Sequence, residues 1–130
     1  MRLVKVLWGK LRMWMYLEWI WVFPRSSLGI RCRVAGEYLK GDGIEVGALH
    51  NPLPLPRKAR VTYVDRMTVP DLRNHYSEFK DLNLAPVSIV CDGETLDAVA
   101  DHQQGFVIGN HLIEHAQDPI RMIENWLRVV

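Results

Sequence analysis

The sequence predicts an α/β protein built on a parallel sheet of about four strands. Short β-prone runs alternate with helical or extended crossovers, which is the pattern of parallel sheets. A polar residue ends or follows each run, and ligand-binding side chains lie at the carboxyl ends of such strands. The four runs are Gly43–Gly47, Val61–Val64, Val87–Cys91 and Gly105–Gly109.

The stretch Gly43–Arg66 contains the first two runs and the most informative acids. Glu45 and Gly47 end the first run, and Asp65 ends the second, twenty positions after Glu45. An acid at the end of a second strand suits ribose hydroxyls, because a carboxylate accepts two hydrogen bonds from a vicinal diol. We expect the carboxylates of Glu45, Asp65 and Asp92 to converge at one edge of the sheet. The alternative is that these acids only cap strand ends.

The crossover Ala48–Arg60 is predicted to lack a helix. Three alternating prolines fix φ and remove backbone donors, so an extended or partly turned loop is expected. His50 and Asn51 have two interpretations, as turn residues before the prolines or as one wall of a ligand pocket.

Two helices have clear start signals. Thr68 is the expected cap of a helix over Pro70–Lys80, and Asp118 is the expected cap of a last helix that begins at Pro119. A short helical turn is expected over Glu94–Ala100. In the last helix four apolar side chains share one face: Ile120, Ile123, Leu127 and Val130.

Residues 1–26 are predicted to form an N-terminal amphipathic helix, and residues 27–130 the domain proper. Residues 1–23 hold four of the five tryptophans. Four charges between Lys5 and Glu18 argue against a membrane span, and no small-residue cleavage site follows Phe23. Two interpretations remain open: the helix covers its own domain, or it lies on a membrane surface. Its apolar side consists of Leu3, Leu7, Leu11, Trp14, Leu17 and Trp21.

Charge is distributed unevenly along the chain. Residues 1–33 carry seven Lys or Arg and one acid, whereas the remainder carries nine against fourteen. The body therefore lacks the positive charge that neutralises phosphates, which argues against nucleic-acid binding. Cys32 and Cys91 lie far apart without metal-ligand spacing. A reduced cytoplasmic chain is therefore the default, membrane-associated if residues 1–23 lie on a membrane.

Taken together, the motifs resemble those of class I S-adenosylmethionine-dependent methyltransferases of the small-molecule type. The match runs in order from about Gly43 to Val130 and includes EVGA, the acids at 65 and 92, and the segment FVIGNHLIEHAQDPIRMIENWLRVV. The resemblance implies a partial Rossmann-like sheet in the strand order three-two-one-four. It also implies methyl transfer from S-adenosylmethionine, with a small-molecule or glycan-type acceptor left open.

Candidate cofactor-binding residues follow from the same resemblance. Glu45, Gly47 and Ala48 match the first motif, where backbone approaches the methionine portion of the cofactor. Asp65 matches the acid on the ribose hydroxyls.

Further along the chain, Asp92 matches the residue that meets the adenine amino group, with Gly93 beside it. Asn110 and His111 match positions that flank the cofactor and the substrate mouth. The resemblance assigns no general base.

Three features depart from the family pattern. Leu49 and Asn51 stand where the first motif usually continues with glycines, and Gly105 stands where the fourth strand usually opens with an acid. The chain also stops at Val130, before the last three strands of a full domain. An unpaired fourth strand predicts self-association or dependence on residues 1–23. The alternative function is a non-catalytic remnant, or a module that binds a membrane or a partner.

The run His111–His115 also fits a zinc pattern. H-x-x-E-H on a helix would place both histidines on one face. Such sites need a third protein ligand, for which Glu124 is the candidate downstream. No metal site is predicted, and His115 is expected to pair with Glu114 or solvent.

Overall fold

The computed structural model describes residues 27–130. Its helices and strands are α1 (Ser27–Tyr38), β1 (Gly41–Val46), β2 (Ala59–Asp65), α2 (Val69–His75), β3 (Val87–Val90), β4 (Val107–Gly109) and α3 (Pro119–Val129). Two 3₁₀ turns lie at Ser77–Phe79 and Ile113–His115. The helix predicted over residues 1–26 lies outside the described residues. Among the described helices, none is both long and apolar enough to cross a membrane.

The four strands form one parallel sheet in the order β3-β2-β1-β4. The predicted α/β fold and its strand order are therefore confirmed. β1 pairs along its whole length with β2, from Gly41 opposite Ala59 to Val46 opposite Val64. On its other side β1 pairs with the shorter β4. Within residues 27–130, β3 and β4 are thus the edge strands.

Separate hydrophobic clusters cover the two faces of the sheet. The cluster beneath α3 is formed by Ile44, Val46, Val64, Leu96, Val99 and Val129. The cluster beneath α1 and the proline-containing crossover is formed by Ala35, Leu53, Ala59, Phe106 and Ile108. Successive strand residues point to opposite faces. Glu45, which lies between Ile44 and Val46, therefore points to the α1 face.

Strand limits differ from the predicted ones by one or two residues. β1 and β2 begin earlier, at Gly41 and Ala59, and β4 begins later, at Val107. Gly105 lies before the first residue of β4, although its N–H donates to the carbonyl of Asp42 in β1 at 2.7 Å. The crossover Ala48–Arg60 contains no α-helix, as its prolines predict.

The helix predicted over Pro70–Lys80 is shorter, and this prediction is corrected. Thr68 is its N-cap as expected, because the N–H of Asp71 donates to Thr68 Oγ1 at 3.3 Å. The helix ends at His75, where Tyr76 takes extended backbone angles (φ −115°, ψ 106°) and a 3₁₀ turn follows. Asn, His and Tyr at positions 74–76 are weak helix formers, which favours this early end.

α3 begins at Pro119 with Asp118 as its N-cap, as predicted, and the N–H of Arg121 donates to Asp118 Oδ1 at 3.0 Å. Its inner side is formed by Met122, Trp126 and Val129. The four apolar residues that were predicted to share a face lie on a different side, 44–72% exposed, and the last of them, Val130, is the C-cap.

The segment Glu94–Ala100, predicted as a short helical turn, contains hydrogen-bonded turns but no regular helix. One bond of α-helical spacing forms at its start, from the N–H of Leu96 to the carbonyl of Asp92 at 2.9 Å. Other carbonyls of this region accept from α3 side chains. Trp126 Nε1 donates to Gly93 O at 2.8 Å, and Asn125 Nδ2 donates to Glu94 O at 2.9 Å.

Arg128 makes the largest share of these contacts. Its guanidinium donates to three carbonyls and to one carboxylate, those of Thr95, Leu96, Val99 and Asp101. In return, the carboxylate of Glu94 accepts from the N–H groups of Gln117 and Asp118 just before α3. The segment after β3 and the last helix therefore stabilise each other.

Arg128→Ala tests this dependence. The substitution leaves the carbonyls that Arg128 satisfies without a donor, so we expect the free energy of unfolding to fall by about 1–3 kcal/mol. Urea denaturation measures the change. Arg121→Ala, at an exposed position on the same helix, is the control and should stay within about 0.5 kcal/mol of the wild type. Equal losses in the two variants would contradict the role of Arg128.

Candidate functional site

The topology brings the predicted site residues to one edge of the sheet. All four strands are parallel, so their carboxyl ends lie together. Glu45 and Asp65 lie on the neighbouring strands β1 and β2, and Asp92 follows β3, which is next to β2. Asn110 follows β4 on the other side of β1. Asp65 thus ends β2, and Asp92 follows the adjacent strand β3.

Glu45 is a buried carboxylate with partners inside the protein. It is 1% exposed, and the N–H of Leu53 donates to its two oxygens at 2.9 and 3.2 Å. Asn110 Nδ2 also donates to Oε1 at 3.3 Å. The carboxylate therefore fixes the crossover loop and the end of β4 to the end of β1.

Burial raises the pKa of Glu45 above its ordinary value of 4.5, while the bonds from Leu53 and Asn110 and the charge of Arg31 oppose this rise. Arg31 lies on α1, and its Nε is buried without a hydrogen-bond partner among residues 27–130. This guanidinium, next to the end of β1, is a further candidate for binding an anionic group of a ligand. Arg31 could not be identified from the sequence, because nothing in the spacing of α1 relates Arg31 to Glu45.

The backbone turns sharply after β1. Gly47 has a φ of +65°, and its N–H donates to the carbonyl of Val64 at 2.9 Å. Ala48 begins a turn in which its carbonyl accepts from the N–H of Asn51 at 3.0 Å. Leu49 has a φ of +50°, a backbone conformation that residues other than Gly, Asn and Asp rarely adopt. Leu49 therefore has a backbone conformation that glycine adopts more easily.

Asp65 is buried at the end of β2. Its Oδ1 accepts from the N–H of Met67 at 3.2 Å, and burial raises its pKa above the ordinary value despite bonds from Met67 and Arg66. Its carbonyl accepts from the N–H of Cys91 at 3.0 Å, which ties the ends of β2 and β3. A depression of about 480 Å³ opens beyond it, lined in part by Arg66 and Met67.

Asp92 and Gly93 form a turn directly after β3. The side chain of Asp92 is exposed, and its Oδ1 accepts from the N–H of Glu94 at 2.7 Å. A Cβ at Gly93 would overlap the side chain of Val46, so only glycine allows this turn to approach β1 so closely. Trp126, which fixes the turn through the Gly93 carbonyl, is a supporting residue that the sequence analysis missed.

His111 follows Asn110 with a φ of +55°, and its side chain is exposed. Its Nδ1 lies 3.2 Å from Glu114 Oε1, so Glu114 pairs with His111 rather than with His115. Residues Ile113–His115 form a 3₁₀ turn, so the two histidines do not lie on one α-helical face. The part of the chain that the structure describes contains no group of three His, Cys, Asp or Glu side chains that could hold a metal ion.

His50 contacts an aromatic neighbour. Its ring lies 5.9 Å from that of Phe79, whose ring is 5.2 Å from that of Tyr76. Tyr76 in turn accepts a hydrogen bond from Arg66 Nη2 at 2.6 Å. His50 is thus packed against the turn that follows α2, and its two interpretations both stay open.

A parallel sheet in this order, with helices on both faces, is a Rossmann-like α/β fold. Among solved structures, the chain is similar to a SAM-dependent methyltransferase from Aquifex aeolicus, with a TM-score of 0.51 and 18% sequence identity. The match covers 75% of this chain and 56% of that one. At this identity the similarity concerns the fold. No family model matches the sequence, and no curated protein does.

Glu45→Gln tests the buried carboxylate. A raised pKa means that the folded state holds this proton more tightly than the unfolded chain, so stability falls as pH rises from about 4.5 towards the raised value. Gln cannot ionise but can still accept from Leu53 and Asn110. We expect the variant to gain stability relative to the wild type as pH rises from about 4 to about 7.

Urea denaturation across this pH range measures the difference. Glu78→Gln, on the exposed 3₁₀ turn, is the control for loss of one carboxylate. A difference between the Glu45→Gln variant and the wild type that stays constant with pH would contradict the assigned shift.

Proposed function

We propose that this chain binds S-adenosylmethionine at the carboxyl edge of the sheet and takes part in methyl transfer. The observation that carries the proposal is the placement of Asp65 and Asp92 after the adjacent strands β2 and β3, in a fold similar to that of a SAM-dependent methyltransferase. A nucleoside presents a ribose diol and a base amino group, and both are hydrogen-bond donors that suit carboxylates.

The chain's own residues divide the work of binding. Asp65 receives the ribose hydroxyls, and Asp92, which is exposed, receives the adenine amino group. The turn at Gly47 lets backbone approach the methionine portion, and Arg31 offers a positive charge for its carboxylate. Met67, beside Asp65, supplies an apolar surface for the base.

When bound, S-adenosylmethionine supplies an electrophilic sulfonium methyl group. The protein's contribution is mainly to hold this group in line with a nucleophile at about 3 Å. Asn110 and His111, after β4, lie at the side of the site where an acceptor would enter. A small-molecule or glycan-type acceptor is part of the proposal.

A second candidate function is a binding module without catalysis. One observation favours it: Leu49, at the turn after β1, combines a positive φ that suits glycine with a bulky side chain.

Calorimetric titration with S-adenosylmethionine tests binding. We expect saturable heat with the wild type. We expect Asp65→Ala to raise the dissociation constant by about 10–100-fold, because two charge-assisted hydrogen bonds are lost. Asp42→Ala is the matched control, since Asp42 is exposed and lies near the amino end of β1, at the opposite edge of the sheet. Absence of heat with the wild type, or equal weakening in both variants, would refute the proposed site.

Leu49→Gly tests the effect of the side chain at the turn after β1. Glycine adopts a φ of +50° without strain and lets a ligand approach the backbone more closely. We expect S-adenosylmethionine to bind several-fold more tightly to this variant in the same titration. An unchanged dissociation constant would show that the leucine side chain points away from the ligand.

A further inference from the structure

α3 carries an apolar stripe that no described residue covers. The stripe consists of Ile120, Ile123, Leu127 and Val130, which are 44–72% exposed. Single exposed apolar residues are common, but three along one side of the 11-residue α3, with Val130 directly after it, form a continuous surface. Such a surface is typical of a docking site.

The stripe faces the open side of β4. On the opposite flank of α3, Asn125 and Arg128 hold the segment after β3, and Leu96 of that segment packs over β1 and β2. α3 itself lies on β4, because the ring of Trp126 occupies the space where Gly109 would carry a Cβ. The stripe is therefore directed towards the edge of β4.

The outer edge of β4 pairs with no strand of the described part of the chain. Within residues 27–130, β4 pairs with β1 on one side and with no strand on the other. Val107–Gly109 is short and uncharged, and an open edge of this kind is normally covered. The stripe and the outer edge of β4 together form one surface, which we call the docking surface.

The N-terminal segment joins the described chain close to this surface. α1 leads into the amino end of β1, so its first residue, Ser27, lies at the carboxyl edge, where Arg31 acts on Glu45. α3 also begins at the carboxyl edge, after β4. α1 packs on the opposite face of the same strand, where Ala35 clusters with Phe106 and Ile108. The chain before Ser27 therefore needs only to pass the edge of β4 to reach the stripe.

The N-terminal segment has a length and a charge that suit the docking surface. As a helix, residues 1–23 would extend about 35 Å, against about 16 Å for α3, so they can cover the whole stripe. Residues 1–26 carry five basic side chains and one acid. One exposed acid of α3, Glu124, borders the stripe, one helical turn from both Ile120 and Leu127. A basic amphipathic segment thus complements an apolar surface that has a carboxylate at its border.

We propose that residues 1–23 of the same chain occupy the docking surface, with their leucines and tryptophans on the stripe of α3. A membrane surface and a second copy of the chain are the competing occupants, and each gives a different result in the experiment below.

Hydrogen–deuterium exchange of the full chain tests the proposal. We expect residues 3–23 to be protected in the wild type and to exchange at least about tenfold faster in Ile123→Asp, because the charge removes the apolar contact. Ile30→Asp is the matched control, since both isoleucines are 44% exposed and lie on helices. It should leave the exchange of residues 3–23 unchanged. Unchanged exchange of β1 and β2 shows that each variant is folded.

Glu124→Lys is a second variant that leaves the stripe intact. Reversing this charge should also speed the exchange of residues 3–23, by a smaller factor. Light scattering should show a monomer throughout. More of the Ile123→Asp variant than of the wild type should sediment with vesicles of phosphatidylcholine and phosphatidylglycerol, because residues 1–23 are then released from the docking surface.

Three results would overturn the proposal. Residues 3–23 could exchange freely in the wild type, or equally fast in the two isoleucine variants. A wild-type dimer that Ile123→Asp dissociates would identify a second copy as the occupant. Wild-type protein that sediments with the vesicles as fully as Ile123→Asp would identify the membrane.

Discussion

The arrangement at the carboxyl edge depends on one buried carboxylate. Glu45 ends the central strand β1, and its oxygens accept from the N–H of Leu53 and the amide of Asn110. A crossover in a parallel sheet normally packs through a helix that satisfies its own backbone. Here alternating prolines exclude a helix, and the carboxylate takes a backbone donor that the loop cannot satisfy by itself. One side chain therefore replaces part of the function of a missing helix, at the cost of burying a charge.

Much of this architecture could be predicted from local chemistry. The strand ends, the caps at Thr68 and Asp118 and the helix-free crossover follow from the preferences of single residues and short patterns. The partners of Glu45, by contrast, are eight and sixty-five positions away, and no local pattern relates Glu45 to Leu53 or Asn110. Likewise, no local pattern in the segment after β3 shows that a helix about thirty positions later satisfies its carbonyls.

Strained backbone conformations follow the central strand β1 and its neighbour β4. Leu49 follows β1 and His111 follows β4, and both have positive φ without being glycine. Such conformations cost of order 1–3 kcal/mol each and persist where the surrounding structure holds them. Gly47 and Gly93 show the other solution, in which the absence of a side chain allows the turn or the close approach. The sharp turns at the carboxyl edge are thus formed in two ways, by glycine and by other residues held at positive φ.

The contacts between α3 and the segment after β3 determine the order in which parts of the chain can fold during synthesis. The carbonyls from Gly93 to Val99 receive donors from residues 125–128, and the N–H groups of His102 and Gln104 donate to the carbonyls of Arg128 and Val129. A ribosome releases residues at about 5–20 per second, in order. β1 and β2 can pair as soon as they emerge, but the turn that follows β3 must wait in water until α3 has left the exit tunnel.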